Sequence, residues 1–344
     1  MPETTTDRPS SDDPVGVDEV DSTAIGTRPR PVWASVAKVL AWVILAGLAL
    51  PAVLRILWVE VGPAAVIVSL VPWATMATVV VTVVLMILRW WAPAIAAMVL
   101  SIVGLSWLVP LYVAAPDPPQ QRRVNVATVN TLYGHADAAQ IVAMVAAHDV
   151  DVLSVQELTA VELRSLSSAG LDRVLPYHHA VTAGGAAGTG LWSREPLTDV
   201  VEPRTSVFAM IEATTTTRSG LLIRAVAAHP AAPDPLHTGV WRRDASALYD
   251  VMNQALAGRD VVLLAGDLNA TLDHPSIRRL EGLGLVDSIT AAGAGFHPTY
   301  PNDGEFFPLV AIDHVMARGL VARSVEAVSI DLSDHKALVT SMVG

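Results

Sequence analysis

Between residues 34 and 115 the chain passes through three apolar runs, at about 34–57, 62–88 and 92–115, and residues 61–88 carry no charged side chain. A helix needs about 20 apolar residues to cross roughly 30 Å of hydrocarbon, so each run is long enough. Lys38 and Arg55 lie near the ends of the first run, where long side chains reach headgroups. Trp33, Trp58, Trp90 and Trp91 stand at the run boundaries, as an interfacial aromatic belt would. The alternative, a soluble helical bundle, would need polar faces that these runs lack. The expectation is three transmembrane helices within a membrane domain of residues 32–115.

The flanking composition divides the rest. Residues 1–31 are rich in acidic residues, Ser, Thr and Pro and read as a disordered tail, since such a stretch buries too little apolar area to offset chain entropy. Residues 116–121, Pro-Asp-Pro-Pro-Gln-Gln, read as a stiff polar linker. Residues 122–344 are long enough for one sizeable core. Arg28, Arg30, Lys38 and Arg89 fall on one side of the three spans and Arg55, Arg122 and Arg123 on the other. The excess of positive charge predicts a cytoplasmic N-terminus in the plasma membrane, with 122–344 on the extracytoplasmic side.

That last region carries 16 basic and 24 acidic residues. A net charge of −8 argues against a nucleic-acid-coating role, which needs a basic surface. The chain has no cysteine, which excludes disulfides, thiolate nucleophiles and cysteine metal sites. The patterns predict strands at Val124–Val129, Val150–Val155, Leu221–Ala227, Asp260–Leu264, Ala311–Met316 and Val325–Ile330, with helices at Ala136–Ala147 and Val240–Leu256. Strands alternating with helices give an α/β or α+β class.

The residues at the strand ends say more than the strands. Asn130 ends the first, Gln156 and Glu157 the second, and His229 follows the third. Gly266-Asp-Leu-Asn269 ends the next; Asp313 and His314 lie within Ile312–Val315; and Ser333, Asp334 and His335 follow what reads as the last strand. Gly266 is expected to supply a positive-φ turn that points Asp267 and Asn269 the same way. Asp313, set in an apolar strand, needs a buried partner, and an imidazole such as His335 would serve. Taken singly each has a bland reading: a solvated turn for Glu157, an Asx turn for Asp267, a surface loop for His229 or His335.

In order and spacing these residues resemble the endonuclease/exonuclease/phosphatase superfamily of metal-dependent phosphoesterases, which includes deoxyribonuclease I, abasic-site endonucleases, inositol polyphosphate 5-phosphatases and neutral sphingomyelinases. The resemblance rests on Asn130, Gln156-Glu157, Gly188-Thr-Gly-Leu-Trp-Ser-Arg194, His229-Pro230, Gly266-Asp-Leu-Asn-Ala270, Ile312-Asp-His-Val315 and Ser333-Asp-His335, and covers nearly all of 122–344. It implies a four-layer α/β sandwich of the deoxyribonuclease I type, here preceded by three transmembrane helices, with the site at one end of two packed sheets.

The resemblance also implies roles. Glu157 would be the principal ligand of a divalent cation, helped by Asn130, with Asp334 an outer or second contact. Asp267 would orient or deprotonate the attacking water. Asn269, His229 and Asn130 would bind the phosphoryl group, and His335 would act as base or donor with Asp313 fixing its tautomer. Oxygen donors favour Mg²⁺ or Mn²⁺. The expected reaction is phosphodiester or phosphomonoester hydrolysis by nuclease, phosphatase or phosphodiesterase chemistry. The substrate would be a lipid headgroup, a nucleotide or a nucleic acid, with Arg194, Arg224, Arg242 and Arg243 as a local basic lip for the last. Leu132 stands where abasic-site enzymes carry an acidic residue, no tyrosine counterpart is evident near His229, and Ala270–Pro275 is short for a phosphoinositide phosphatase. An inactive binding or sensing module on the same fold is the competing reading, and a transporter is disfavoured because the spans hold no charged pathway. His178, His179, His237, His274 and His297 fit no position in the scheme, and Gly184–Gly190 reads as a tight connection into a strand at Leu191–Ser193.

Overall fold

The computed structural model describes residues 32–119, 122–204, 206–234, 236, 238–258 and 261–344. The acidic tail 1–31, the Gln120–Gln121 end of the linker, His237 and the Asp260 start of one expected strand lie outside them. The chain divides into a unit Met1–Ala41 and a unit Trp42–Gly344.

Among the described residues four α-helices come first: α1 (Val32–Ile56), α2 (Pro63–Val68), α3 (Val71–Ile87) and α4 (Trp91–Leu108). Two helical stretches, Ser35–Ile56 and Trp91–Tyr112, each of 22 residues, are long and apolar enough to cross a membrane by length and composition. The middle run does not form the single long helix expected of it. Pro72 has no N–H to give the Val68 carbonyl, and the run breaks at Ser69–Leu70 into α2 and a 17-residue α3. At 1.5 Å per residue α3 spans about 26 Å, short of a full crossing. It pairs with α4 through Thr82 and Ser101, whose hydroxyls lie 3.1 Å apart, and through Gly104, where a Cβ would collide with Thr75. Val80, Ile87, Ile95 and Ile102 stay exposed on these helices.

The remaining chain forms two six-stranded sheets. The first contains β1 (Arg123–Asn130), β2 (Val152–Gln156), β3 (Tyr177–Val181), β4 (Thr189–Ser193), β11 (Val321–Ser329) and β12 (Lys336–Val343), in the order β11-β12-β1-β2-β4-β3. The second contains β5 (Thr198–Val201), β6 (Met210–Thr216), β7 (Leu222–Ala228), β8 (Val262–Asp267), β9 (Val286–Asp287) and β10 (Asp313–Arg318), in the order β5-β6-β7-β8-β10-β9. Each sheet has one parallel pair, β1–β2 and β7–β8, in an otherwise antiparallel arrangement. Val124, Val126, Leu338 and Met342 of one sheet meet Ile223, Ala225, Leu263 and Val315 of the other, forming the central core.

Helices α5 (Ala138–Ala147), α6 (Ala160–Ala169) and α7 (Leu171–Val174) cover the first sheet through Ile141, Leu166 and Leu171. Helices α8 (Gly239–Ala255) and α9 (Pro275–Gly282) cover the second through Trp241, Met252 and Ile277, and the short α10 (Ser288–Ala292) follows β9. Helix, sheet, sheet, helix is the expected sandwich.

Three local expectations change. Ser333–His335 do not follow the last strand: they precede β12, whose backbone then pairs with both β1 and β11. His178 and His179 lie on β3, not in a loop, where His178 stacks on Trp192. The expected basic lip loses two of its four members, because Arg194 is spent on Asp149 and the Val150 carbonyl and buried Arg224 on Glu212 and Thr214, while Arg242 and Arg243 stay exposed on α8.

Candidate active site

The strands explain why the polar residues meet. Asn130 and Gln156 are register partners at the ends of parallel β1 and β2. Asp267 and Asp313 are register partners across antiparallel β8 and β10. Gly266 keeps its place for a reason other than the expected turn: its φ is ordinary for a strand, and a Cβ there would sit 1.9 Å from the Ala228 carbonyl of β7. The left-handed residues are instead Glu157 (φ 58°) and Asn269 (φ 49°), both at the rim. Non-glycine residues hold that conformation only when the surroundings enforce it. Thr131 Oγ–H bridges the Gln156 and Glu157 carbonyls, at 2.8 and 3.1 Å, and helps do so.

Beneath the rim the two sheets are tied by a buried relay. Thr128 Oγ–H donates to Gln156 Oε1, Gln156 Nε2 to Ser154 Oγ, and Ser154 Oγ–H to the Ala265 carbonyl. Buried polar groups must be paired, and here the pairing fixes the spacing of β2 against β8.

A cavity of about 700 Å³ opens above this floor. Glu157, His229, Asp267, Asn269, Asp334 and His335 all line it, so residues 178 positions apart in sequence share one chamber. Asn130 lies just under it. Its Nδ2 donates to Glu157 Oε1 (3.1 Å) and Asp267 Oδ2 (3.0 Å), and its Oδ1 accepts from Leu132 N–H (2.9 Å). The second Glu157 oxygen accepts from Tyr133 N–H at 2.7 Å.

Two imidazoles converge on Asp267 Oδ2, with His229 Nε2 at 3.5 Å and His335 Nε2 at 3.6 Å. His335 Nδ1 lies 2.9 Å from Asp313 Oδ2, the buried partner the sequence called for. Burial alone would lower the His335 pKa, but Asp313, Asp267 and Asp334 outweigh it and hold it raised to about 10. The proton therefore stays on the ring and Nε2–H faces the cavity. Burial would raise the Asp267 pKa, yet His335 and His229 hold it below the usual carboxylate range. His229 is likewise held up by Asp267 against burial. Its Nδ1 donates to the Ala186 carbonyl (3.1 Å), so the Gly184–Gly190 connection also orients a site imidazole. Asn269 Nδ2 lies 3.2 Å from His229 Nε2 and donates to the Pro230 carbonyl.

The donor set suits a hard cation. Asp334 has a raised pKa, first from burial and then, against the pull of His335, from the neighbouring Glu157 and Asp267 carboxylates. Crowded carboxylate oxygens of this kind are relieved by a divalent ion. Asp267, Asp313 and His335 also lie close enough to share one ion. Asp313 Oδ2 and His335 Nδ1 are already paired at 2.9 Å, and Glu157 and Asp334, the ligands the resemblance implies, line the same cavity.

Tyr133 and Tyr300 line the cavity too, and the Tyr300 ring lies 4.8 Å from that of His335. Neither was found in the sequence. Tyr300 comes from an irregular segment with no motif of its own, although its place between Pro298 and Pro301 is a turn signal. His274 and His297 do not line the cavity; His274 is buried, with Nε2 2.7 Å from the Ala65 carbonyl.

The sequence matches the Endonuclease/Exonuclease/phosphatase family over residues 127–335. No curated protein sequence matches the chain. Among solved structures it is similar to humanized D. rerio TDP2 (TM-score 0.53, 15% identity, 65% of this chain and 100% of that one). It is also similar to the endonuclease/exonuclease/phosphatase from Beutenbergia cavernae DSM 12333 (0.50, 19%, 65% and 72%). A functionally unknown conserved protein from Enterococcus faecalis V583 matches at 0.51 and 14%, over 64% and 100%. At these identities the likeness speaks for the fold.

Proposed function

This chain belongs to the endonuclease/exonuclease/phosphatase family, and from that premise we propose that it is a membrane-anchored phosphoesterase that uses a divalent cation to direct water onto phosphorus. Members of the family are typically hydrolases of phosphoester bonds. The observation that carries the reading is the convergence of Glu157, Asp334, Asp267, His229 and His335 on one cavity.

Glu157 and Asp334 would hold Mg²⁺ or Mn²⁺, with Asn130 fixing the Glu157 carboxylate. The cation, when bound, offsets the charge of the phosphoryl group. Asp267, kept ionised by two imidazoles, orients the water and accepts its proton. His335, kept protonated by Asp313, donates Nε2–H to a phosphoryl oxygen, and Asn269 and His229 donate to the same group. These donors are fixed before substrate arrives, which is what makes them effective on charge that grows in the transition state.

The anchor would be α1, α4 and the shorter α3, joined to a catalytic region of 122–344 that faces the extracytoplasmic side of the plasma membrane. Its support is length, composition and exposed apolar side chains. Protease added to intact cells would then cut at 116–121; protection of that linker would reverse the orientation. A D. rerio TDP2 structure holds a single-strand DNA product. Here no Lys or Arg stands among the described residues lining the cavity, which disfavours a polynucleotide.

The test of the chemistry is turnover of bis-p-nitrophenyl phosphate by the full chain with Mg²⁺ in ¹⁸O-water. Label in the phosphoryl product supports attack at phosphorus. Folded protein with no turnover in Mg²⁺ or Mn²⁺ would favour a binding module.

A further inference from the structure

One wall of the cavity comes from outside the sandwich. Val66 of α2, with Ser69 and Leu70 of the turn after it, lines the same chamber as the carboxylates. The other face of the same helix is fixed in place. Ala65 and Val68 are fully buried, and Ala65 shares a core cluster with Trp241 and Ile277.

Polar ties hold the segment on both sides. His274 Nε2–H donates to the Ala65 carbonyl, Ser276 N–H to Glu60 Oε2 (2.9 Å), and Gly62 N–H to Thr238 Oγ1 (3.2 Å), while Arg55 pairs with Asp273 at 2.6 Å. So anchored, the segment still leaves Val66 44% and Leu70 41% exposed, and both line the chamber. Leu309 and Val310 extend this apolar side.

The wall is also continuous with the apolar helices. Leu70 runs directly into α3, and Trp73 at its start donates Nε1–H to the Leu309 carbonyl (2.7 Å) and packs on Phe307. Phe306 and Phe307 are 64% and 65% exposed beside it. A phosphoryl group bound to the polar floor would leave most of a 700 Å³ chamber for a neighbouring substituent. That substituent meets aliphatic side chains and no cation among the described lining residues.

We infer that the substrate is an amphiphilic phosphoester drawn from the bilayer, with its phosphoryl group on the carboxylate–imidazole floor and its apolar chain along Val66, Leu70 and Leu309. The inference rests on the phosphoesterase reading above and names its substrate class. An acyl chain moving from α3 to the chamber stays in apolar contact throughout, so little apolar surface is exposed to water on the way.

Two arms test it, both with the full chain in lipid nanodiscs. In the first, wild type hydrolyses dodecyl p-nitrophenyl phosphate with kcat/KM at least about tenfold above methyl p-nitrophenyl phosphate, and Val66→Glu and Leu70→Glu bring that ratio near one. Partition of the dodecyl ester into the disc is the same for all three proteins, so a change in ratio reports the wall. A general folding defect would lower both rates and leave the ratio standing.

The second arm needs no turnover. The chain has no cysteine, so Leu70→Cys carries a single thiol. Dodecylphosphonate should slow its maleimide labelling about tenfold, as occupancy of one site predicts near ten times Kd, and methylphosphonate should not. A control thiol at Leu222→Cys, exposed at the start of β7, should be slowed by neither. Equal rates on the two esters, or an unprotected Leu70→Cys thiol, overturns the inference while any cleavage keeps the phosphoesterase reading. Cleavage of neither ester overturns that reading, and the thiol then decides for or against the wall by itself.

Discussion

Two buried histidine–aspartate pairs meet at neighbouring residues of β10, Asp313 and His314, and do different things. His335 Nδ1 meets Asp313 at 2.9 Å, and His314, the residue after Asp313, meets Asp287 through its own Nδ1 at 2.8 Å. In both, burial alone would lower the imidazole pKa and the partner carboxylate reverses it. Neither chemistry nor pKa direction separates them. The far nitrogen does: His314 Nε2 is spent on the Ala270 carbonyl at 2.8 Å, in full burial, while His335 Nε2 faces a chamber and a second carboxylate. A closed pair stabilises the fold; an open pair has a hydrogen bond left for substrate.

The comparison fails if the two histidines respond alike. His335→Ala should lower kcat on bis-p-nitrophenyl phosphate by about 10²- to 10³-fold with the fold retained, as loss of a fixed donor to the transition state does; wild-type turnover would refute its role. His314→Ala should cost about 3 kcal/mol of unfolding free energy, as breaking a buried pair does. Turnover per folded molecule should stay within about threefold, because the lost bonds belong to the scaffold. Denaturant unfolding and active-site-normalised kinetics read the two effects separately.

Glu157→Gln sharpens the open side of the contrast. It removes the charge and one of the two acceptors that now take the Asn130 and Tyr133 N–H groups, and should raise the Mg²⁺ concentration for half-maximal rate by about 10- to 100-fold. Metal titration of the rate checks this.

Glu162 sharpens the closed side. It is 2% exposed, its Oε1 has no hydrogen-bond partner among the described residues, and it does not line the site cavity. An unspent atom without a chamber yields only strain. Burial, then the Asp137 charge, raises its pKa from 4.5 to about 7. Because the folded value exceeds the unfolded one, its contribution to stability is full below pH 4.5 and is lost as pH rises to about 7. Glu162→Gln should flatten that slope, matching wild type at pH 4 and gaining about 2 kcal/mol at pH 8. A parallel pH profile of thermal unfolding would contradict the assignment.

Much of the floor was legible because polar residues stand beside apolar runs at strand ends, and register did the rest: Asn130 with Gln156, Asp267 with Asp313. The reasons were less legible. Gly266 suggested a turn, but close packing on Ala228 is a long-range fact. Arg194 and Arg224 suggested a basic lip because their acidic partners come from distant parts of the chain, Asp149 in the turn after α5 and Glu212 on β6. The wall was hidden altogether. Residues 62–88 read as one hydrophobic span, and nothing in their composition separates an exposed Val80 from a cavity-lining Val66; the break at Pro72 and the docking of Ala65 do that.

The central claim is that one chamber holds a cation on Glu157 and Asp334 and a proton on His335 for phosphoester hydrolysis. Stripping the full chain with a chelator and restoring Mg²⁺ tests it most directly, with bis-p-nitrophenyl phosphate as substrate. The account predicts loss of turnover on stripping, full recovery with Mg²⁺ in wild type, and none in folded His335→Ala. Turnover that survives stripping, or recovery in His335→Ala equal to wild type, would contradict it.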